Sequence, residues 1–314
     1  MLFGRSKTGD KTYLLVDVES GSVAGALVRL SGNEQPKLFG ETRVHLPVLH
    51  TYDSGSLIEH IARAAREVVQ KVSHVAARVR MHETTADMGR VERAAAFLHA
   101  PWGRPNLATG SPDFVEPVVT LLRTTIEMHF GPIPVTPLTA MGGFHRASRA
   151  AVPERDYLLA SITGEVLELL LVRGGAVVGH ATAPIGTNHA LRTLRAHAGA
   201  HPAEARSLMR AGTHPQFDEA LAASGEHFAD MFADAAEDLL KRGTTSKVYV
   251  LAQEGMGRWY AHALSQSERV GALFQGGVVR DIRAQSLLPH MAAHAEVPDT
   301  HLLLWALGTP HTVQ

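Results

Sequence analysis

An α/β fold built from two similar domains is predicted by three features of this sequence. The stretch YLLVDVESGSVAGALVRLSG (13–32) reads as a strand, a tight polar turn and a second strand. YLLASITGEVLELLLVRGG (157–175) has the same shape about half a chain later. Each hairpin is followed by signals for a third strand and then a helix, so the order strand, strand, strand, helix occurs twice. A duplication of that size sets the architecture and outweighs local propensity.

The elements follow in order. Tyr13–Val18 is a buried-strand run, Glu19-Ser20-Gly21-Ser22 is its turn, and Val23–Leu30 returns. After the Gly32-Asn33 turn signal, Lys37–Leu46 fits a third strand. Ser56 is the expected cap of a helix that carries Leu57, Ile58, Ile61, Ala64, Ala65, Val68, Val69 and Val72 on one side. RAAAFLHAPW (93–102) reads as a buried strand with its exit, followed by a helix near Phe114–Phe130, a strand at Ile133–Pro137 and a Gly-Gly turn at 142–143. In the second half, strands fit Tyr157–Ile162, Val166–Val172 and Ala176–Ala183, and a helix fits Asn188–His197. Helices near Ala203–Ala211 and Gln216–Arg242 follow, then the strand KVYVLA (247–252), a glycine-containing turn and the helix Arg258–Ser267. Strands alternating with helices give mixed sheets. The repeat alone places the boundary near Ala151–Arg155, which gives domains 1–152 and 153–314.

Composition narrows the function. Apolar residues make up 45% and charged residues 19%, enough for a substantial core. Thirty basic residues against 31 acidic ones leave a formal net charge of −1, so no electrostatic affinity for nucleic acid or anionic lipid is expected. The absence of cysteine excludes disulfides and thiolate-bound metal. The polar N-terminus does not read as a signal peptide. No stretch approaches the roughly 18–20 apolar residues of a membrane span. A cytoplasmic protein is expected, with any membrane contact made through a partner.

The hairpin turns carry the candidate chemistry. Turns rich in Ser and Gly offer N–H groups and hydroxyls to an anion, and an aspartate at a strand end can hold hydrated Mg²⁺. The first copy has Asp17, then Ser20, Gly21 and Ser22; the second has Ser161, Thr163, Gly164 and Glu165. Two such hairpins facing each other would clamp a nucleotide's phosphates, and the turn AQEGMG (252–257) with Gly255 would take the adenosine. The bland alternatives are also concrete. A polar hairpin needs Ser and Gly in any case, Ser161 and Thr163 can bond their own backbone, and Glu165 can face solvent at a hairpin tip. His197 with His201 and His290 with His294 have the four-residue spacing of metal ligands, but surface histidines are the default reading. The helical row Phe228, Met231, Phe232, Ala235 and Leu239 is read as core. Arg63, Arg66, Lys71, Arg78 and Arg80 are read as a solvated face.

These segments resemble the actin-like ATPase superfamily, which includes actin, sugar kinases, heat-shock chaperones, FtsA and PilM. LLVDVESGSVAGALV resembles its first phosphate motif, and LLASITGEVLELLLVRGG with APIGTNHALRTL resembles the second in its PilM-like and FtsA-like form. KVYVLAQEGMGRWYAHAL resembles the adenosine motif, and TTIEMHFGPIPVTPLTAMGGFHRA the segment before the second motif. The resemblance implies an actin-like (ribonuclease H-like) duplicated fold with a cleft between its two domains. It implies ATP and Mg²⁺ as cofactors, with nucleotide contacts at Asp17, Ser20, Gly21, Ser22, Ser161, Thr163, Gly164, Glu165 and Gly255, and the metal at Asp17. It further implies a scaffold of a type IV pilus or division complex at the inner face of the membrane. Its expected partners are a cytoplasmic peptide of an inner-membrane protein and further copies of itself. A sugar-type kinase of the same superfamily is the alternative.

The sequence departs from the family at several places. The family's second aspartate falls on Ser161 and a motif glycine on Thr163, while Gly164 is expected to stay because its turn needs a residue without Cβ. The adenosine turn has Gln253 and Glu254 where a Gly-Gly pair is usual. Residues 128–153 contain no acid to orient water, and 101–131 is short for the extra domain of PilM and FtsA. These departures imply a pseudo-ATPase or, at most, a weak ATPase.

Overall fold

The computed structural model describes residues 11–31, 34–49, 54–81, 89–211, 217–293 and 298–309. The first half runs β1 (Lys11–Val18), β2 (Ser22–Leu30), β3 (Lys37–His45), α1 (Ser54–Met81) and β4 (Val91–Leu98), then a two-rung hairpin of β5 (Gly103–Arg104) and β6 (Asp113–Phe114). Next come α2 (Glu116–Phe130), β7 (Val135–Thr139) and α3 (Ala140–Ala151). The second half runs β8 (Tyr157–Ile162), β9 (Leu167–Arg173), β10 (Ala176–Ala183), α4 (Thr187–Ala198), α5 (Pro202–Ala211), α6 (Asp218–Leu240), β11 (Lys247–Ala252), α7 (Gly257–Gln266), α8 (Glu268–Leu273) and β12 (Val278–Asp281). A short α9 (Ala284–Leu287), β13 (Ala292–Ala293) and α10 (Thr300–Gly308) end the described chain.

The two halves have the same sheet topology. The first sheet has the order β13-β3-β2-β1-β4-β7 and the second β10-β9-β8-β11-β12. In each, the hairpin and third strand are antiparallel, the next strand joins the hairpin's first strand in parallel, and one more strand pairs in parallel outside it. The central strands β1 and β8 are apolar on both faces, as sheets covered on both sides require. On α1, Leu57, Ile61, Ala64, Ala65, Val68, Val69 and Val72 are all buried against the first sheet. On α6, Phe228, Phe232 and Leu239 are buried against the second.

A third apolar cluster lies between the sheets, where α3 and α10 pack against each other. Helix α10 is apolar on nearly every side, and all but Thr300 and Leu307 of its residues are buried. Trp305 stacks on Phe97 at 4.4 Å between ring centres and lies 4.5 Å from Phe144.

Several expectations are corrected here. Gly142 and Gly143 do not form a turn. Thr139 caps α3 by accepting from the Gly142 N–H, and both glycines are helical. Gly143 lets Phe97 and Trp305 approach, since a Cβ there would stand 2.8 Å from the Trp305 ring. Helix α1 begins at Ser54, which places Ser56 inside it rather than at its cap. Pro117, in the first turn of α2, starts that helix two residues later than expected. The last described stretch of the 153–314 segment returns to the first half, where β13 pairs with β3 and α10 covers the sheet. His197 and His201 are exposed. His294 and the Gly32-Asn33 turn lie outside the described residues.

Replacing Trp305 with Ala is expected to destabilise the protein by about 3–5 kcal/mol, the range for deleting a buried large aromatic. Trp305→Phe, which keeps the stack and removes the N–H, should cost about 1–3 kcal/mol through an acceptor left short of a donor. Denaturant midpoints measure both. Unchanged midpoints would mean that α10 does not complete the core.

Candidate functional site

The two hairpins meet tip to tip. Each closes a two-residue loop: Glu19 N–H donates to Ser22 C=O and Thr163 N–H to Val166 C=O, both at 3.0 Å. The strand registers make Asp17 and Ser161 equivalent, since Asp17 pairs with Ala24 and Ser161 with Glu168, two rungs inside the closing pair of each turn. Ser20 Oγ lies 3.0 Å from Thr163 Oγ1 and accepts from the Glu165 N–H at 2.8 Å. The backbones of Gly21 and Gly164 are in contact, and a Cβ on Gly21 would stand 2.6 Å from Gly164 Cα. Gly164 is therefore required by the close approach of the opposite hairpin, and not by its own turn.

The N-terminus of α4, which would face a phosphate, is filled by the same hairpin. Thr187 N–H donates to Thr163 C=O and Asn188 N–H to Gly164 C=O. Glu165 does not face solvent. Arg192 binds both of its oxygens, at 2.8 and 2.9 Å, and Asn188 Nδ2 donates to Oε1 at 2.9 Å.

Beneath the tips lies a buried charged cluster. Asp17 is fully buried, with both oxygens engaged. Oδ1 accepts from Trp305 Nε1 and lies 2.9 Å from His99 Nε2; Oδ2 accepts from the Arg43 guanidinium at 2.9 Å. Arg43 stands on β3 opposite Ala24, which stands opposite Asp17, so the guanidinium crosses a small residue to reach the carboxylate. The same guanidinium donates to Glu19 Oε1, Ser22 Oγ and both oxygens of Asp299, the cap of α10.

Two residues cross between the halves in a reciprocal way. Leu98 pairs with Val18 and Ala252 with Ile162, so His99 and Gln253 occupy equivalent places just beyond their strands. His99 Nδ1 lies 3.3 Å from Glu168 of the second half. Gln253 Nε2 donates to Ser22 Oγ of the first half at 2.8 Å.

The charges set one another's protonation. Burial alone would raise Asp17, but His99 and Arg43 outweigh it and hold the carboxyl well below the usual range. Burial pushes Glu19 up to about 7 against the pull of Arg43. Burial opposes a charge on His99, yet Asp17 and the neighbouring Glu168 and Glu19 lift it to about 10. Burial drives His301 down to about 4. Glu168 is lowered despite its burial, through His180 and His99.

This arrangement does not fit Mg²⁺–ATP. Asp17, expected to be the metal ligand, has no oxygen free of a protein donor, and three donors already surround it. The expected phosphate contacts Ser20, Gly21, Thr163 and Gly164 bond or touch one another, and Ser22 accepts from Arg43 and Gln253. Ser161 is buried without a partner for its hydroxyl. Gly255 sits in a 3₁₀ turn at positive φ with open space around it, apart from these contacts. Sequence reasoning missed Arg43, His99, Glu168, Asp299, His301 and Trp305. The one available signal was a histidine directly after a buried strand, at the place where Gln253 follows the equivalent strand.

No protein-family model matches the chain, and no curated protein matches it. Solved structures do. The PilM–PilN type IV pilus biogenesis complex aligns with a TM-score of 0.63 at 14% identity, over 94% of this chain and 96% of that one. The ethanolamine utilization protein EutJ from Carboxydothermus hydrogenoformans aligns with a TM-score of 0.58 at 14% identity, over 95% and 88%. A ROK family glucokinase from Streptomyces griseus, solved with glucose and AMPPNP, aligns with a TM-score of 0.53 at 12% identity, over 96% and 99%. With two sheets of the same strand order and hairpins that meet at their tips, the chain has the two-domain fold of the actin-like ATPases.

Proposed function

We propose that this chain is a PilM-like or FtsA-like scaffold that works as a pseudo-ATPase. In this reading it gathers a membrane assembly, of a type IV pilus or division complex, by binding a short cytoplasmic peptide of an inner-membrane protein. The observation that carries the reading is the closure of the two hairpins on each other above an Asp17 whose oxygens are all engaged. An ATPase of this fold needs phosphates and Mg²⁺ between those hairpins and a residue to orient water. Here Arg43, His99 and Trp305 take the metal's place, and no acid lies in 128–153. The sugar-kinase alternative needs the same nucleotide position and also a general base on its acceptor hydroxyl, so the same closure weighs against it. Among the described residues no helix is long and apolar enough to cross a membrane, which fits attachment through a partner. The outer strand of the first sheet, β7, is the edge to which a peptide would add.

Two outcomes are expected. First, millimolar MgATP should leave the denaturant midpoint unchanged and phosphate release at background. A site with a Kd of about 10 μM would add about 2.7 kcal/mol at a hundredfold excess, which is easily read. Turnover that Asp17→Ala abolishes would show an intact catalytic site and overturn the reading. Second, the full chain immobilised and exposed to mild detergent extracts of its own membranes should retain an integral membrane protein through a short cytoplasmic segment. Cross-links from that segment should fall on the first half. Retention of soluble proteins alone would count against the scaffold.

A further inference from the structure

Six of the buried side-chain atoms that lack a hydrogen-bond partner lie in one place: Glu19 Oε2, His99 Nδ1, His301 Nε2, His180 Nε2 and both oxygens of Glu168. Native interiors leave few such atoms, and a concentration of them marks the position of a water, an ion or a chemical task. The charges are also unequal. Asp17, Glu19, Glu168 and Asp299 converge here, and Arg43 is the permanent cation among them. Buried carboxylates need a counter-charge or a metal.

We propose that Glu19, His99 and His301 form a binding site for a divalent transition-metal ion of the zinc class. One ligand atom from each residue lies within 4.8 Å of the other two, and all three residues are buried. A point between those atoms is then at most about 2.8 Å from each, against the roughly 2.0–2.2 Å of zinc–nitrogen and zinc–oxygen bonds. A small inward rotation of the side chains closes the difference.

Each ligand is held by its other contacts. Glu19 is anchored to Arg43 through Oε1, which leaves Oε2 unbound. His99 is bonded to Asp17 through Nε2, and its Nδ1 makes no hydrogen bond within standard geometry and lies 3.3 Å from Glu168 Oε2, the counter-charge it would exchange for the metal. A carboxylate bonded to the far nitrogen of an imidazole ligand fixes its tautomer and raises its basicity, the arrangement found behind histidines that bind metal. His301 stands in the first turn of α10, fixed by the cap Asp299, and its Nε2 is unbound. Two imidazoles and one carboxylate suit zinc and its neighbours, whereas Mg²⁺ prefers all-oxygen sites. Asp17, expected to ligate the metal itself, becomes the residue that positions His99. Binding releases a proton from His99 to solvent, and ligation neutralises part of the surplus negative charge.

Because the site is buried, the metal loads as the chain folds. The test is to refold the full chain from denaturant with Zn²⁺ or with Co²⁺, desalt it, and count metal by elemental mass spectrometry. One ion per chain is expected, with a ligand-field spectrum for the Co²⁺ form that shows mixed nitrogen and oxygen coordination and a raised denaturant midpoint. Asp17→Asn should weaken retention by about 10–100-fold, as loss of a residue behind a ligand does, and His301→Gln or Glu19→Gln by more. A His197→Ala/His201→Ala variant controls for surface histidines and should retain the ion. Refolded wild-type chain that holds no metal overturns the proposal. So does retention unchanged in both His301→Gln and Glu19→Gln. Should either variant fail to fold, X-ray absorption on the wild-type zinc form decides: fewer than two imidazole nitrogens at the metal would also overturn it.

Discussion

The Arg43 guanidinium is the contact on which the surrounding structure depends. It reaches Asp17 at the end of β1, Glu19 and Ser22 in the first turn, and Asp299 at the cap of α10. A planar fork of five donors can serve four side chains at once, which a lysine ammonium with three donors cannot do. Removing one partner from such a buried group strands the others, at about 3–5 kcal/mol by analogy with buried ion pairs. The arginine therefore does more than balance charge. It ties the hairpin to a helix that follows it by more than 250 residues, and that helix carries Trp305 back to Asp17.

The same cluster sets the relation of the two halves. His99 extends from the first sheet towards Glu168, and Gln253 from the second sheet to Ser22. Add the Gly21–Gly164 approach and the Ser20–Thr163 contact, and the halves are joined at the hairpin tips where the sequence placed a nucleotide's phosphates. A hinge motion that separated them would have to break these contacts together, taking His99 from Glu168 and Gln253 from Ser22. Domain closure around a ligand exploits an interface that is cheap to open. Here the interface is polar, bonded at its tips and buried beneath them, so opening it would cost several contacts at once.

The backbone plan was legible because it rests on periodicity. Tyr13–Val18, Tyr157–Ile162 and KVYVLA all form the strands that their apolar runs announce, a helix stands at 187–198, and the helix from 218 buries Phe228, Phe232 and Leu239 of its expected row. What could not be read is what depends on register and on distant pairing. Arg43 meets Asp17 only because β3 places it opposite Ala24, and a shift of one residue would turn it to the other face. Trp305 meets Asp17 across 288 residues of sequence. The Gly142-Gly143 pair looked like a turn because glycine is the usual punctuation there, whereas Gly143 clears the helix surface for two aromatic rings and Gly142 stands against the cap Thr139. Glu165 looked like a hairpin tip in water because Arg192 and Asn188 lie 27 and 23 residues further on.

The missing second aspartate also has a structural account. In the first hairpin an acid on the inner strand, Asp17, faces a small residue, Ala24. In the second the pair is reversed: the small residue, Ser161, is on the inner strand and the acid, Glu168, on the outer one. Each hairpin thus keeps one buried carboxylate on the face that looks between the halves, but the two are no longer related by the duplication. Moving the acid one strand outward brings it beside β10, where His180 stands 3.6 Å away, and within 3.3 Å of His99. A symmetric pair of aspartates can hold one hydrated Mg²⁺ against a chain of phosphates from both sides. An asymmetric pair cannot, and here the displaced carboxylate faces imidazoles instead. Hydrophobic register has preserved the two-fold plan of the backbone, since one slipped strand would expose a whole apolar face. Nothing of that kind fixes the polar pattern at the tips, so the same backbone plan can carry different side-chain chemistry there.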